Sequence, residues 1–198
     1  MQAAVVVPVK AFNAAKLRLA PALSPTDRSD LARRMATAVV LAAAPLPVVV
    51  VCDDVEVRDW ALGLRAEVLW TPGLGLDGAV AAGVDHVADA GFARVVVCHA
   101  DLPLATGLLH VADGDGAVIV PDRRADGTNV ISLPSRSGFR FAYGPGSFHR
   151  HRAEAERLGL DVTVLDDVDL SWDVDVPDDL LLPSGEIVTG RPVSAPRP

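Results

Sequence analysis

A mostly parallel, doubly wound α/β sheet, in a three-layer α/β/α arrangement, is the fold that this sequence predicts. First, the runs AAVVVPV (3–9), PVVVVCDD (47–54), RVVVC (94–98) and AVIVP (117–121) are short and continuously apolar. Runs of this kind belong to strands covered on both faces. Second, helical segments separate them, and strand–helix alternation makes parallel pairing the default. Third, the 198 residues contain no internal repeat and no linker. One domain over 1–182 is expected, followed by a Pro-rich tail, 183–198, that is mobile or docked as a coil.

The elements follow in order. After the first strand, KAFNAAKLRLAPALSP has no clean period and reads as a loop. Ser24-Pro25-Thr26-Asp27 is a helix start, with Ser as N-cap, Pro at the first helical position and acid in the first turn. That helix should run to about Ala44, with Leu31, Met35, Ala38, Val39 and Ala42 on one face. Val55 to Leu64 is a short helix and AEVLW, 66–70, a third strand. TPGLGLDG is a glycine-rich connection into a helix from about Asp77 to Ala90. After RVVVC, a short helix is expected around Leu104 to Ala112, then AVIVP, then TNVISLP at 128–134. YGPGS is a tight turn, Ser147 opens a helix to about Leu158, DVTVLD is a strand, and Pro177 begins a short final helix.

Composition excludes several classes. The net charge of −8 and pI of about 5.0 argue against a nucleic-acid surface. Aromatics make up only 5%, too few for a single-strand stacking platform. No apolar run reaches membrane-spanning length, because Pro45, Pro47 or charges break the longest. No basic-then-apolar leader pattern is seen, so a cytoplasmic protein is expected. Cys52 and Cys98 each end a Val run and read as small core residues, not a disulfide. The histidines make no HExxH, and CxxC, GxSxG, GxGxxG after the first strand and GxxxxGK[ST] are all absent.

Several stretches remain as candidates for chemistry. Asp101 follows RVVVCHA, at the edge of the sheet where α/β folds bind ligands. It reads as a metal ligand bridging phosphates, or as a loop cap. The chain's two lysines, Lys10 and Lys16, share one loop with Arg18, which suggests a polyanion such as triphosphate. In YGPGSFHRHR a helix opens with His149, Arg150, His151 and Arg152. Those side chains are the wrong sign for the helix dipole, and a bound phosphate would remove the conflict. In Trp172-Asp173-Val174-Asp175 the two acids share a face if the segment is extended. A magnesium ion would resolve their repulsion, and solvated acids are the alternative. Asp126-Gly127-Thr128-Asn129 is a turn that presents Thr128 with a free hydroxyl.

Taken in order, VVVPVKAFNAAKLRLAP, HADLP, PDRRADGTNV, YGPGSFHRHR and WDVDVPDDL resemble the 2-phospho-L-lactate or phosphoenolpyruvate guanylyltransferase family, from about Val5 to Leu181. The resemblance implies the Rossmann-like fold of nucleotide-diphospho-sugar transferases. It also implies a role in making the deazaflavin coenzyme F-420. Asp101, Asp173 and Asp175 occupy the family's Mg²⁺ positions. Thr128, Gly144 and Ser147 occupy positions for the phosphate and carboxylate end of the acceptor, and Lys10, Lys16 and Arg18 lie where phosphates are gripped. Asp77 and Gly78 fall in the nucleotide region, where Leu76-Asp77 stands in place of the family's Leu-Asn. The expected partners are GTP and a small phosphorylated three-carbon acid, with no nucleic acid and no membrane; a homodimer fits the same reading. The expected reaction is attack of an acceptor phosphate oxygen on the α-phosphorus of GTP, releasing pyrophosphate. A nucleophile that is already ionised needs no general base; alignment and charge neutralisation are what it needs. By the same logic His99 has no proton to move. The alternatives are another nucleotidyltransferase of this fold, with a sugar phosphate or molybdopterin acceptor, or a non-catalytic nucleotide-binding domain.

Overall fold

A computed structural model describes residues 3–188. Seven strands form one sheet in the order β3-β2-β1-β4-β6-β5-β7. They are β1 (Ala3–Pro8), β2 (Val48–Cys52), β3 (Glu67–Trp70), β4 (Arg94–Cys98), β5 (Ala117–Pro121), β6 (Thr128–Pro134) and β7 (Val162–Val164). All pairs are parallel except those of β6, which runs antiparallel to β4 and β5. The reason is legible in the linker: DRRADG, between β5 and β6, is too short for the crossover that a parallel neighbour needs.

The alternation of side chains along β1 divides the core. Ala3, Val5 and Val7 pack against Ala36, Val39 and Val40 of α1 (Pro25–Ala42) and Val57 and Ala61 of α2 (Val55–Gly63). Ala4 and Val6 face Val80, Val84 and Val87 of α3 (Gly75–Asp89) and Phe148 and Ala155 of α5 (Ser147–Arg157). Burying one such valine contributes on the order of 1.5 kcal/mol, so both faces of the sheet are strongly held. Close approach of α3 depends on Gly83, where a Cβ would lie 2.7 Å from Val6 and 2.8 Å from Val51. Two short helices, α4 (Leu109–Ala112) and α6 (Val168–Ser171), lie on the α1 side.

Several boundaries differ from the sequence reading. Helix α1 is capped as expected, with Ser24 Oγ accepting from Asp27 N at 3.2 Å, but it ends at Ala42. The residue before Pro45 is disfavoured in a helix, which closes it early. Helix α3 begins two residues before Asp77, because Gly73 (φ 74°) and Gly75 (φ 66°) turn the chain into it. The helix expected at 104–112 is only α4, since Gly107 and the loop before it stay irregular. Helix α6 was hidden in an Asp-rich run: Asp167 caps it, accepting from Asp169 N and Leu170 N at 3.0 Å each.

A third apolar cluster positions the site. Leu19, Leu31, Met35, Val174, Leu180 and Val188 are buried together, joining the loop after β1, α1 and the segment after α6. Part of the expected tail therefore docks: Leu181 bridges Ile187, and Val188 N donates to Leu180 O at 2.8 Å. The rest of that tail, 189–198, lies outside the described residues. Both cysteines are free and buried. Among the described residues, no helix is long and apolar enough to cross a membrane.

Candidate active site

The carboxyl ends of β1, β2, β3 and β4 open into a cavity of about 620 Å³. The loop from Lys10 to Arg18 covers it on the α1 side, and Thr71, Gly75 and Leu76 wall it beyond β2 and β3. His99, Asp101, Gly144 and Asp175 close the other side. This is the ligand edge of an open α/β sheet.

Lys16 stands at its centre. The loop after β1 is pinned at both ends. Phe12 is buried edge-on to Trp60 at 5.3 Å, under the Arg33 guanidinium, and Leu19 is buried in the third cluster. Between these anchors two 3-10 turns, Phe12–Ala14 and Leu17–Leu19, are joined through Lys16 at φ 56°. Lys16 Nζ donates to Asp101 Oδ2 at 2.6 Å and to Asp175 Oδ1 at 2.9 Å. Burial alone would lower the Lys16 pKa, but the Asp101 and Asp175 charges more than offset it and hold the ammonium above the usual lysine range. Burial likewise pushes Asp101 up, and Lys16 overcomes it, leaving the carboxyl below its usual value. Arg18 reaches only 4.0 Å from Asp175 Oδ2 with most of its side chain in solvent, so that pair contributes little. Lys10 is exposed at the cavity mouth.

Asp173 is the uncompensated acid. Its Oδ1 is buried with no hydrogen-bond partner. Burial first, then the charges of Asp101 and Asp175, push its carboxyl up to about 6. The backbone ties this segment to the loop after β4 through Val174 N and Asp101 O, 3.3 Å apart. Asp179 is fully buried and holds the same segment. Its Oδ2 accepts from Asp175 N and Val176 N at 2.8 Å each, and its Oδ1 accepts from Arg123 and, at 2.7 Å, from Arg124. An acid in the first turn after Pro177 was the available signal. Two of the three site acids, Asp101 and Asp175, thus hold an ammonium group, and among the described residues no three His, Cys, Asp or Glu side chains are set ready for a metal ion.

The YGPGSFHRHR loop is built differently from its sequence reading. Gly146, at φ 73°, is the N-cap of α5, and Ser147 is its first residue. Ser147 Oγ accepts from Thr128 N at 3.0 Å, and Thr128 Oγ1 pairs with His151 Nδ1 at 3.0 Å, so the Thr128 hydroxyl is not free. Three of the four basic side chains of the first turn, Arg150, His151 and Arg152, find partners within the chain. Arg150 donates to the carbonyls of Ala142, Tyr143, Gly144 and Pro145, and Arg152 pairs with Glu156. Gly144 alone of the three acceptor positions lines the cavity. Asp77 Oδ1 accepts from Tyr143 N at 2.8 Å, fixing this loop to α3; neither it nor Gly78 lines the cavity, where Gly75, Leu76 and Ala79 do.

His151 is fully buried. Its Nε2 accepts from Ala142 N at 3.0 Å, so Nδ1 carries the proton and donates to Thr128. Burial pushes its pKa down to about 4. The unfolded chain, with histidine near 6.5, therefore binds this proton first, and stability is lost as pH falls from about 6.5 toward 4. His151→Gln is expected to flatten the fall in Tm over that window, by the equivalent of about 3 kcal/mol. His99, by contrast, lines the cavity, with its Nε2 buried and without a partner.

Relatives agree with this architecture. The family described as "Guanylyl transferase CofC like" matches residues 3–189. A phosphoenolpyruvate guanylyltransferase of Rubrobacter xylanophilus is 38% identical over 184 residues, covering 88% of this chain and 90% of that protein. A 2-phospho-L-lactate guanylyltransferase of Methanothermobacter thermautotrophicus is 36% identical over 197 residues, covering 95% of this chain and 85% of that protein. Among solved structures, a putative nucleotide-diphospho-sugar transferase from Desulfovibrio desulfuricans superposes with a TM-score of 0.71 at 20% identity, over 88% of this chain and 83% of that one, and supports the fold. With the match running from β1 to the last described residues, the chain belongs to the CofC-like guanylyltransferase family.

Proposed function

We propose that this enzyme joins GMP from GTP to the phosphate of phosphoenolpyruvate or 2-phospho-L-lactate, releasing pyrophosphate, as a cytoplasmic step toward coenzyme F-420. Membership of the family supports the reaction class. The observation that carries the reading is the Lys16 ammonium held between Asp101 and Asp175 inside the cavity.

The acceptor phosphate is the nucleophile and is ionised at neutral pH. One of its oxygens bonds to the α-phosphorus as the bond from that phosphorus to the β-phosphate oxygen breaks. What the chain supplies is alignment of two polyanions and neutralisation of their charge. Two of the three Lys16 hydrogens serve Asp101 and Asp175, leaving one for a phosphate oxygen. Lys10 and Arg18 at the mouth favour the triphosphate. In this reading the nucleoside takes the side bordered by Thr71 and Leu76, and the acceptor the side bordered by Gly144.

The acids also fit Mg²⁺. Asp101 Oδ1 and Asp173 Oδ1 are hard oxygen donors, buried and unpartnered, and that ion takes one or two carboxylates while keeping water and phosphate oxygens. Asp175 would join them by sharing its charge with Lys16. When bound, Mg²⁺ would neutralise triphosphate charge.

Ser147 lies behind the cavity wall and acts on the acceptor only by holding the turn that carries Gly144, so Ser147→Ala should raise the acceptor KM through that turn and leave the GTP KM unchanged. It should also cost about 1–3 kcal/mol, because Thr128 N loses its buried partner. An unchanged acceptor KM would refute this placement. The reading itself is tested by pyrophosphate release from GTP with phosphoenolpyruvate, 2-phospholactate or 3-phosphoglycerate. Turnover with one of the first two is expected; none with either overturns it.

A further inference from the structure

Among the buried polar side-chain atoms that lack a hydrogen-bond partner, three stand at this edge: Asp101 Oδ1, Asp173 Oδ1 and His99 Nε2. The two carboxylate oxygens have a use in the reaction. The imidazole nitrogen does not, and a buried polar atom without a partner is an exception that needs a reason.

The placement of His99 supplies one. Along β4, Val95 and Val97 face α3 and α5, and His99 continues that row, while Ala100 turns to the other face. Its backbone is fixed by the bond from His99 N to Asn129 O at 2.9 Å. Its ring lies 4.8 Å from that of Tyr143, next to Gly144. His99 is therefore part of the cavity wall at the end of β4, which β1 separates from β2 and β3 and which adjoins β6. If the reacting phosphates gather at Lys16 and Asp101, the nucleoside occupies the β2–β3 side. The remainder of the acceptor then lies along His99 and Gly144. In a 2-phosphorylated three-carbon acid, that remainder carries the carboxylate, one carbon from the phosphate-bearing atom. A carboxylate offers only acceptor oxygens, so the ring must donate.

We infer that His99 is a specificity residue for the acceptor, its Nε2–H donating to the acceptor carboxylate; the inference rests on the reaction proposed above. Glutamine can place an amide N–H near the position of Nε2, whereas leucine fills the space without a donor. His99→Leu is expected to raise the acceptor KM by about 10- to 100-fold, the scale for losing a hydrogen bond to a charged group, with the GTP KM within twofold. His99→Gln should restore the acceptor KM to within about fivefold of wild type. The KM split and the glutamine rescue are what a packing role would not produce. Should His99→Leu keep the wild-type acceptor KM, or lose only kcat, the inference fails, and the second result assigns His99 to holding Asp101. Equal rises in both KM values also overturn it. Wild-type protein that releases no pyrophosphate with either acid overturns the reaction and this inference together, whereas the other failures leave the reaction standing.

Discussion

Asp101→Asn is expected to cut turnover by at least about 100-fold while leaving the protein folded, the scale for losing one strong electrostatic contributor at a reacting centre. Asparagine keeps the shape but removes the charge that anchors Lys16 at 2.6 Å. It also relieves Asp173, whose carboxyl is pushed up in part by Asp101. Stability should therefore change little, because a lost attraction is offset by a lost repulsion. Circular dichroism and steady-state pyrophosphate release together separate the outcomes. A folded variant with near-normal release would remove Asp101 from the chemistry.

Lys16→Met should have a comparable effect on rate and a larger one on stability. Methionine matches the length of the stem but leaves Asp101 and Asp175 without their cation, beside the already uncompensated Asp173. Turnover is expected to fall by about 100- to 1,000-fold. Breaking a fully buried pair costs about 3–5 kcal/mol; with Asp175 nearly half exposed, about 2–3 kcal/mol is expected here at pH 7. The sign of its pH dependence follows from Asp101. Its carboxyl is depressed in the folded wild type, so the pair's stabilisation is complete above the ordinary carboxylate range and lost as pH falls through it. The wild type and variant should therefore converge in urea denaturation as pH is lowered below about 4. A constant gap would show that the charge of Lys16 is not what stabilises this edge.

The layers of the fold were legible because buried parallel strands announce themselves as short Val-rich runs, and the Ser24 cap and the acids of the Asp173–Asp175 segment follow from local spacing. What could not be read was pairing across the chain. Lys16 lies 85 residues from Asp101 and 159 from Asp175, so only folding shows that the loop read as a phosphate grip also holds two carboxylates. Arg150 and His151 looked misplaced against the helix dipole, and only folding brings the carbonyls of 142–145 and Thr128 to meet them. Asp179 was lost among neighbouring acids because burial distinguishes it from them, not sequence. His99 was set aside for having no proton to move, although a hydrogen-bond donor needs none to transfer.

An acceptor phosphate oxygen is expected to attack the α-phosphorus of GTP at the Lys16–Asp101 centre. Phosphoenolpyruvate carrying ¹⁸O throughout its phosphate, incubated with GTP and the wild-type enzyme, tests it by mass spectrometry of both products. All of the label should stay in the guanylylated acid, with the pyrophosphate unlabelled. Label in the released phosphates, or no guanylylated product with either acid, would contradict it.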